Sequence, residues 1–78
     1  MGESSLDKIR KLEKEIKDQN AIRAEYNKEL LEAEKKLKSK EITQQQYERV
    51  KKKHDDHCGK INEKIQAARR GIEELRSE

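Results

Sequence analysis

The sequence predicts an all-α fold: an antiparallel two-helix hairpin, a short coiled coil, which self-associates into a dimer or four-helix bundle. Three observations carry this. First, Cys58, Ile61, Ile65, Ala68, Ile72 and Leu75 step alternately by three and four residues without a break. That spacing puts Cys58, Ile65 and Ile72 at heptad position a and Ile61, Ala68 and Leu75 at d. Second, Ile9, Leu12, Ile16, Tyr26, Leu30, Ala33 and Leu37 in the first half share one heptad frame. A stripe this narrow needs another helix along it, and the first half supplies one. Third, the segment 42–47 carries a helix-start signal that separates the two stripes.

The composition agrees. Lys, Arg, Glu, Ala and Leu make up 44 of the 78 residues, the balance of a coiled coil or long helix. Proline is absent, as are Phe and Trp, so nothing forbids helix from end to end. Leu, Ile and Val together number 14, which makes the core thin. A thin core is the reason to expect self-association, a partner helix, or a parent protein.

The elements follow in order. Residues 1–5 are expected to be a disordered N-terminus or a cloning remnant. Helix 1 is expected over 6–38, with Ser4 or Ser5 capping it and Asp7 favourably placed against the helix dipole. A turn is expected at 39–43. Thr43 and Gln46 form a T-x-x-Q capping box, and Ile42 and Tyr47 are spaced as a hydrophobic staple. Helix 2 is therefore expected over 44–76. Gly59 and Gly71 fall inside it, each costing about 1 kcal/mol relative to Ala, but the heptad phase passes through Gly59 unshifted. Six acid-to-lysine pairs at i, i+4 are spaced to support the helices: Asp7–Lys11, Glu13–Lys17, Glu32–Lys36, Glu34–Lys38, Glu48–Lys52 and Asp56–Lys60.

Folding at the turn pairs Leu37 with Tyr47, Leu30 with His54, Tyr26 with Cys58, Ile16 with Ala68, Leu12 with Ile72 and Ile9 with Leu75. This register sets Arg23 against Ile61 and Gln19 against Ile65. Arg23 is expected to lay its stem on Ile61 and keep its guanidinium wet. Ile22 and Leu31 lie off the seam and are available to a second helix.

The stretch Leu30 to Lys53, with leucines at 30 and 37 and then ITQQQYERVKKK, resembles the short helical-hairpin modules called SHOCT. Those carry Gly before the Ile-Thr pair, where this chain has Lys40 and Glu41. The resemblance spans less than a third of the chain and implies a capped hairpin.

Ligand chemistry is concentrated in His54-Asp55-Asp56-His57-Cys58. At i, i+4 on a helix, His54 and Cys58 point the same way and are the candidate metal ligands. A structural zinc takes four ligands, and Tyr26 and Leu30 opposite are not donors, so no metal site is assigned. His57 adjoins Cys58 in sequence but points elsewhere, so no Cys–His nucleophile is assigned. No catalytic residue, cofactor or small-molecule substrate is expected, since a two-helix rod has few concavities.

Charge is uneven, although the formal net charge is only +3. Lys35, Lys36, Lys38, Lys40, Arg49, Lys51, Lys52 and Lys53 gather at the hairpin tip, opposed there by Glu41 and Glu48. Such a tip suits phosphate or an acidic protein, with Lys36, Lys38 and Lys40 approaching from one arm and the 51–53 lysines from the other. The single cysteine forms no internal disulfide, which fits a reducing, cytoplasmic compartment. No apolar run is long enough for a membrane span. The expected function is a non-catalytic coiled-coil module for protein–protein interaction or assembly, with a partner helix or a second copy as partner. The alternative is a helical hairpin that contacts nucleic acid through the basic tip at 35–53.

Overall fold

A computed structural model describes Gly2 and residues 4–77 as two long helices. Helix α1 spans Ser5–Lys38 and α2 spans Gln44–Arg76. They fold back on each other into an all-α hairpin, a rod of 58 × 18 × 14 Å.

Local chemistry sets each helix end. Ser4 is the N-cap of α1, its hydroxyl accepting from the Asp7 N–H at 3.2 Å. The helix therefore begins one residue before the expected boundary, because the cap is Ser4 and not Ser5. Ser4 is the cap and Ser5 the first residue of the helix. Of the segment expected to be disordered or a cloning remnant, Met1 and Glu3 lie outside the described residues.

At the turn, the Glu41 N–H donates to the Lys36 carbonyl at 2.8 Å and the Lys40 N–H to the Leu37 carbonyl at 3.1 Å. This is a Schellman closure, which needs a left-handed residue at the first position beyond the cap. Lys40 fills it with φ 62°. That conformation is strained for any residue with a Cβ, and it is where the resembled modules have glycine nearby. Three residues on, Thr43 caps α2 with a complete capping box. Its hydroxyl accepts from the Gln46 N–H at 3.2 Å, and the Gln46 side chain accepts from the Thr43 N–H at 2.9 Å.

The buried core consists of Ala33, Ile61, Ile65, Ala68 and Ile72. The α1 side of the seam (Ile9, Leu12, Ile16, Tyr26, Leu30 and Leu37) stays half-buried, as do Tyr47, Cys58 and Leu75 on α2. Ile61 and Ile65 lie opposite Arg23 and Gln19 in the heptad register, and the Arg23 guanidinium reaches across to Asn62. Ile61 is only 5% exposed and Ile65 only 4%. Ala33 also belongs to the core.

Helix α2 runs unbroken through both interior glycines. A Cβ on Gly71 would stand 3.0 Å from Leu12 Cδ1, whereas one on Gly59 would meet open space. Gly71 thus lets α1 approach closely at the open end of the hairpin. Among the described residues, no helix is long and apolar enough to cross a membrane.

Candidate interaction faces

A hairpin of two parallel-sided helices has two broad faces, one bounded by the heptad e positions and one by the g positions. On α1 the e positions include Glu13, Asn20, Asn27 and Glu34, and the g positions Glu15, Ile22, Glu29 and Lys36. On α2 the e positions include Glu48, Asp55, Asn62, Arg69 and Arg76, and the g positions Val50, His57, Lys64 and Gly71.

The e face is closed by polar bonds between and along the helices. The Arg23 guanidinium donates to Asn62 Oδ1 at 2.9 Å and to Asn20 Oδ1 at 2.7 Å. His54 Nε2 lies 2.6 Å from Asn27 Oδ1, its Nδ1 lies 3.1 Å from the Asp55 carboxylate, and Cys58 Sγ stands 3.4 Å from Nε2. The Tyr47 hydroxyl donates to Glu34 Oε1 at 3.3 Å. Burial of Tyr47 raises its phenol pKa, with Glu34 adding to the effect through charge and hydrogen bond and Asp55 through charge. Near the open end, Arg76 stands 3.8 Å from Glu13.

His54 and Cys58 thus do converge, and the residue facing them is Asn27, not Tyr26 or Leu30 alone. Among the described residues, no group of three or more His, Cys, Asp or Glu side chains is arranged to hold a metal ion. Tyr26, set against Cys58 by the register, stacks on the neighbouring His57, with ring centroids 4.5 Å apart and planes 7° from parallel.

The g face is different. Along α1, Glu15, Asp18, Ile22, Glu25, Glu29 and Glu32 step by three and four residues through positions g and c. All are exposed. Along α2, the same two positions hold Lys53, His57, Lys60 and Lys64. Lys53, His57 and Lys60 also line a shallow depression of about 340 Å³ with Arg49, Lys52 and Asp56. Among the described residues, none of these acids and lysines closes an ion pair. The acidic stripe follows from the same heptad frame as the apolar seam. Its signal is plain once the a/d frame is set, since c and g then follow by counting.

The basic tip is not one site. Lys51 turns to the e face, where it lines a depression with Lys38, Glu34, Leu37, Gln44, Tyr47 and Glu48. Lys36 lines one on the g face with Glu29, Glu32, Ala33, Ile42 and Val50. Lys52 and Lys53 lie on α2's outer side with Arg49. Lys35 and Lys40 are exposed. Ile42 and Tyr47, spaced as a staple, line depressions on different faces.

Two further expectations change. Ile22 and Leu31 are exposed at 43% and 57%, but nine residues is two and a half helical turns. They point to opposite sides of α1, so no single partner helix covers both. The i, i+4 pairs Glu13–Lys17, Glu32–Lys36, Glu34–Lys38, Glu48–Lys52 and Asp56–Lys60 do not close as ion pairs among the described residues. Exposed pairs gain little and cost side-chain entropy, and Glu13 inclines to Arg76 instead. No protein-family model matches the chain, and neither a curated protein nor a solved structure matches it.

Proposed function

We propose that this chain is a non-catalytic helical-hairpin module for protein–protein interaction and assembly. The observation that supports it best is the g face, where an exposed acidic stripe and an exposed basic stripe run side by side without closing ion pairs among the described residues. Charges left unpaired on a firm scaffold set partner choice and orientation, as flanking charges do in coiled coils. The apolar residues, by contrast, are mostly consumed in the hairpin's own seam. The concavities are shallow and lined by charged side chains, which suits a macromolecular surface better than a small substrate.

Sedimentation equilibrium over a range of chain concentrations tests the reading. A mass of twice the chain or more at tens of micromolar is the expected result. A well-folded monomer throughout that range would count against assembly with itself.

A second reading rests on the depression formed by Arg49, Lys52, Lys53 and Lys60. Four cations around one hollow, with Asp56 the one acid in its lining, suit a phosphate row. The acidic stripe on the neighbouring helix would repel the same polyanion, which ranks this reading second. Duplex RNA or DNA shifted at low salt, with a steep loss as salt rises, would favour it.

A further inference from the structure

We propose that a second copy of this chain docks on the g face, with the two-fold axis parallel to the rod. Each α1 acidic stripe then lies on the α2 basic stripe of the other copy. This rests on the assembly reading above and specifies its surface and symmetry.

Three observations lead there. The first is charge complementarity within one face. Glu15, Asp18, Glu25, Glu29 and Glu32 form a run of like sign on α1, and Lys53, Lys60 and Lys64 form the opposite run on α2. Neither is neutralised by an ion pair among the described residues.

The second is level. Tyr26 stacks on His57 and Arg23 bonds Asn62, so residues 23–26 of α1 and 57–62 of α2 share one height along the rod. Both stripes straddle that height. The acidic stripe is about 25 Å long at 1.5 Å per residue, and the basic stripe falls within its span.

The third is symmetry. When one face meets its own copy, the two-fold axis must lie in the plane between them. An axis across the rod sets α1 on α1 and acid on acid. An axis along the rod sets each α1 over the other copy's α2 with no axial shift, so the acidic run of one copy lies over the three lysines of the other. Like charges in direct opposition are strongly disfavoured, and the second arrangement is selected. It is a closed, isologous contact.

The face has the other attributes such a contact needs. Ile22, 43% exposed, sits in the middle of the acidic stripe and is covered by the second copy. Lys53 and Lys60, on the rim of the depression they line with Arg49, Lys52, Asp56 and His57, lie level with Glu25, Glu29 and Glu32. A face of 58 × 18 Å offers of order 1,000 Å², against roughly 800 Å² taken from each partner in a stable interface.

Charge reversal tests the proposal. Glu25→Lys with Glu29→Lys makes one variant, and Lys53→Glu with Lys60→Glu makes the other. The sites are exposed, so circular dichroism should report unchanged helicity for both. Each variant alone should sediment as a monomer at a concentration where the wild type is a dimer. An equimolar mixture should recover the dimer mass, because both contacts of the mixed pair are again acid on base. Rising salt should disperse the wild-type dimer. If the wild type is a dimer and the reversed variants remain equally dimeric, another face is used and this proposal falls while the assembly reading stands. If the wild type is a monomer at all these concentrations, both fall together. Failure of the mixture to recover the dimer, with both variants folded and monomeric, would overturn the along-rod axis.

Discussion

The two broad faces of the hairpin share one seam yet spend their polar groups differently. On the e face, Arg23, Asn20, Asn62, Asn27, His54, Tyr47 and Glu34 bond one another. On the g face, acids and lysines of opposite sign stand on adjacent helices without closing ion pairs among the described residues. Side-chain length explains part of this. Asparagine is short and its amide is directional, so it fixes geometry between helices at hydrogen-bond distance. Glutamate and lysine are long and lose much rotamer freedom when fixed, so in water they stay loose. The e face therefore adds cross-helix hydrogen bonds to the apolar seam, whereas the g-face acids and lysines add no ion pair to it among the described residues.

The largest expected effect tests the seam that separates the faces. Ile65 is 4% exposed at the middle of α2's apolar run. Ile65→Asp would bury a carboxylate with no partner, at a cost of several kcal/mol. Far-UV helicity should fall at ambient temperature. A thermal melt like that of the wild type would mean that this stripe faces water, and the division into two faces would then lose its basis.

The next prediction compares the faces directly. Asn27→Ala removes the acceptor from His54 Nε2 and should cost about 1 kcal/mol. Glu29→Ala, two residues away on the other face, removes an exposed charge and should change stability by no more than about 0.5 kcal/mol. Urea unfolding of both variants, at a concentration where the wild type is monomeric, reads the difference. Equal losses would show that the g-face charges also support the hairpin.

Much of this was legible in the sequence, for identifiable reasons. The 3-4 spacing from Cys58 to Leu75 fixes which side of α2 is buried, because a seven-residue repeat admits one stripe. The capping box at Thr43 fixes where α2 begins, since cap, hydroxyl acceptor and Gln46 must coincide. The partners of polar side chains were not legible. Periodicity sets position 26 against position 58, and it does not show that the Tyr26 ring stacks on the neighbouring His57. The left-handed Lys40 was hidden too, because lysine gives no signal for positive φ as glycine does. The uncoupled i, i+4 pairs show the limit from another side: spacing permits a contact, and solvent decides whether it forms.

Glycine sharpens the contrast on a smaller scale. Gly59→Ala places its Cβ in open space and should stabilise the hairpin by about 1 kcal/mol through helix propensity. Gly71→Ala gains the same propensity but sets its Cβ 3.0 Å from Leu12 Cδ1. That methyl must shift, so the net gain should be smaller. Parallel chemical denaturation of the two variants measures the gap. A gain at position 71 equal to that at 59 would mean that the helices are not closely packed at the open end.

The smallest effect is a titration on the e face. The Tyr47 phenol is raised above its ordinary value of 10.0, by burial first and then by the charge and hydrogen bond of Glu34, with Asp55 adding charge. Raising an acid's pKa on folding favours its neutral form. The corresponding stability is fully present below the ordinary phenol range and is lost as pH climbs through the raised value. In a Tyr26→Phe background, ultraviolet absorbance follows Tyr47 alone as it ionises. Its midpoint should lie above 10, and Glu34→Gln should lower it by removing the carboxylate. Substitution of Glu29 on the g face should leave the midpoint where it was. A midpoint that responded equally to Glu29 and Glu34 would mean that Tyr47 senses the charge of the whole tip. The bond that closes the e face beside the turn would then be loose in solution, and the two faces would be alike at that end of the rod.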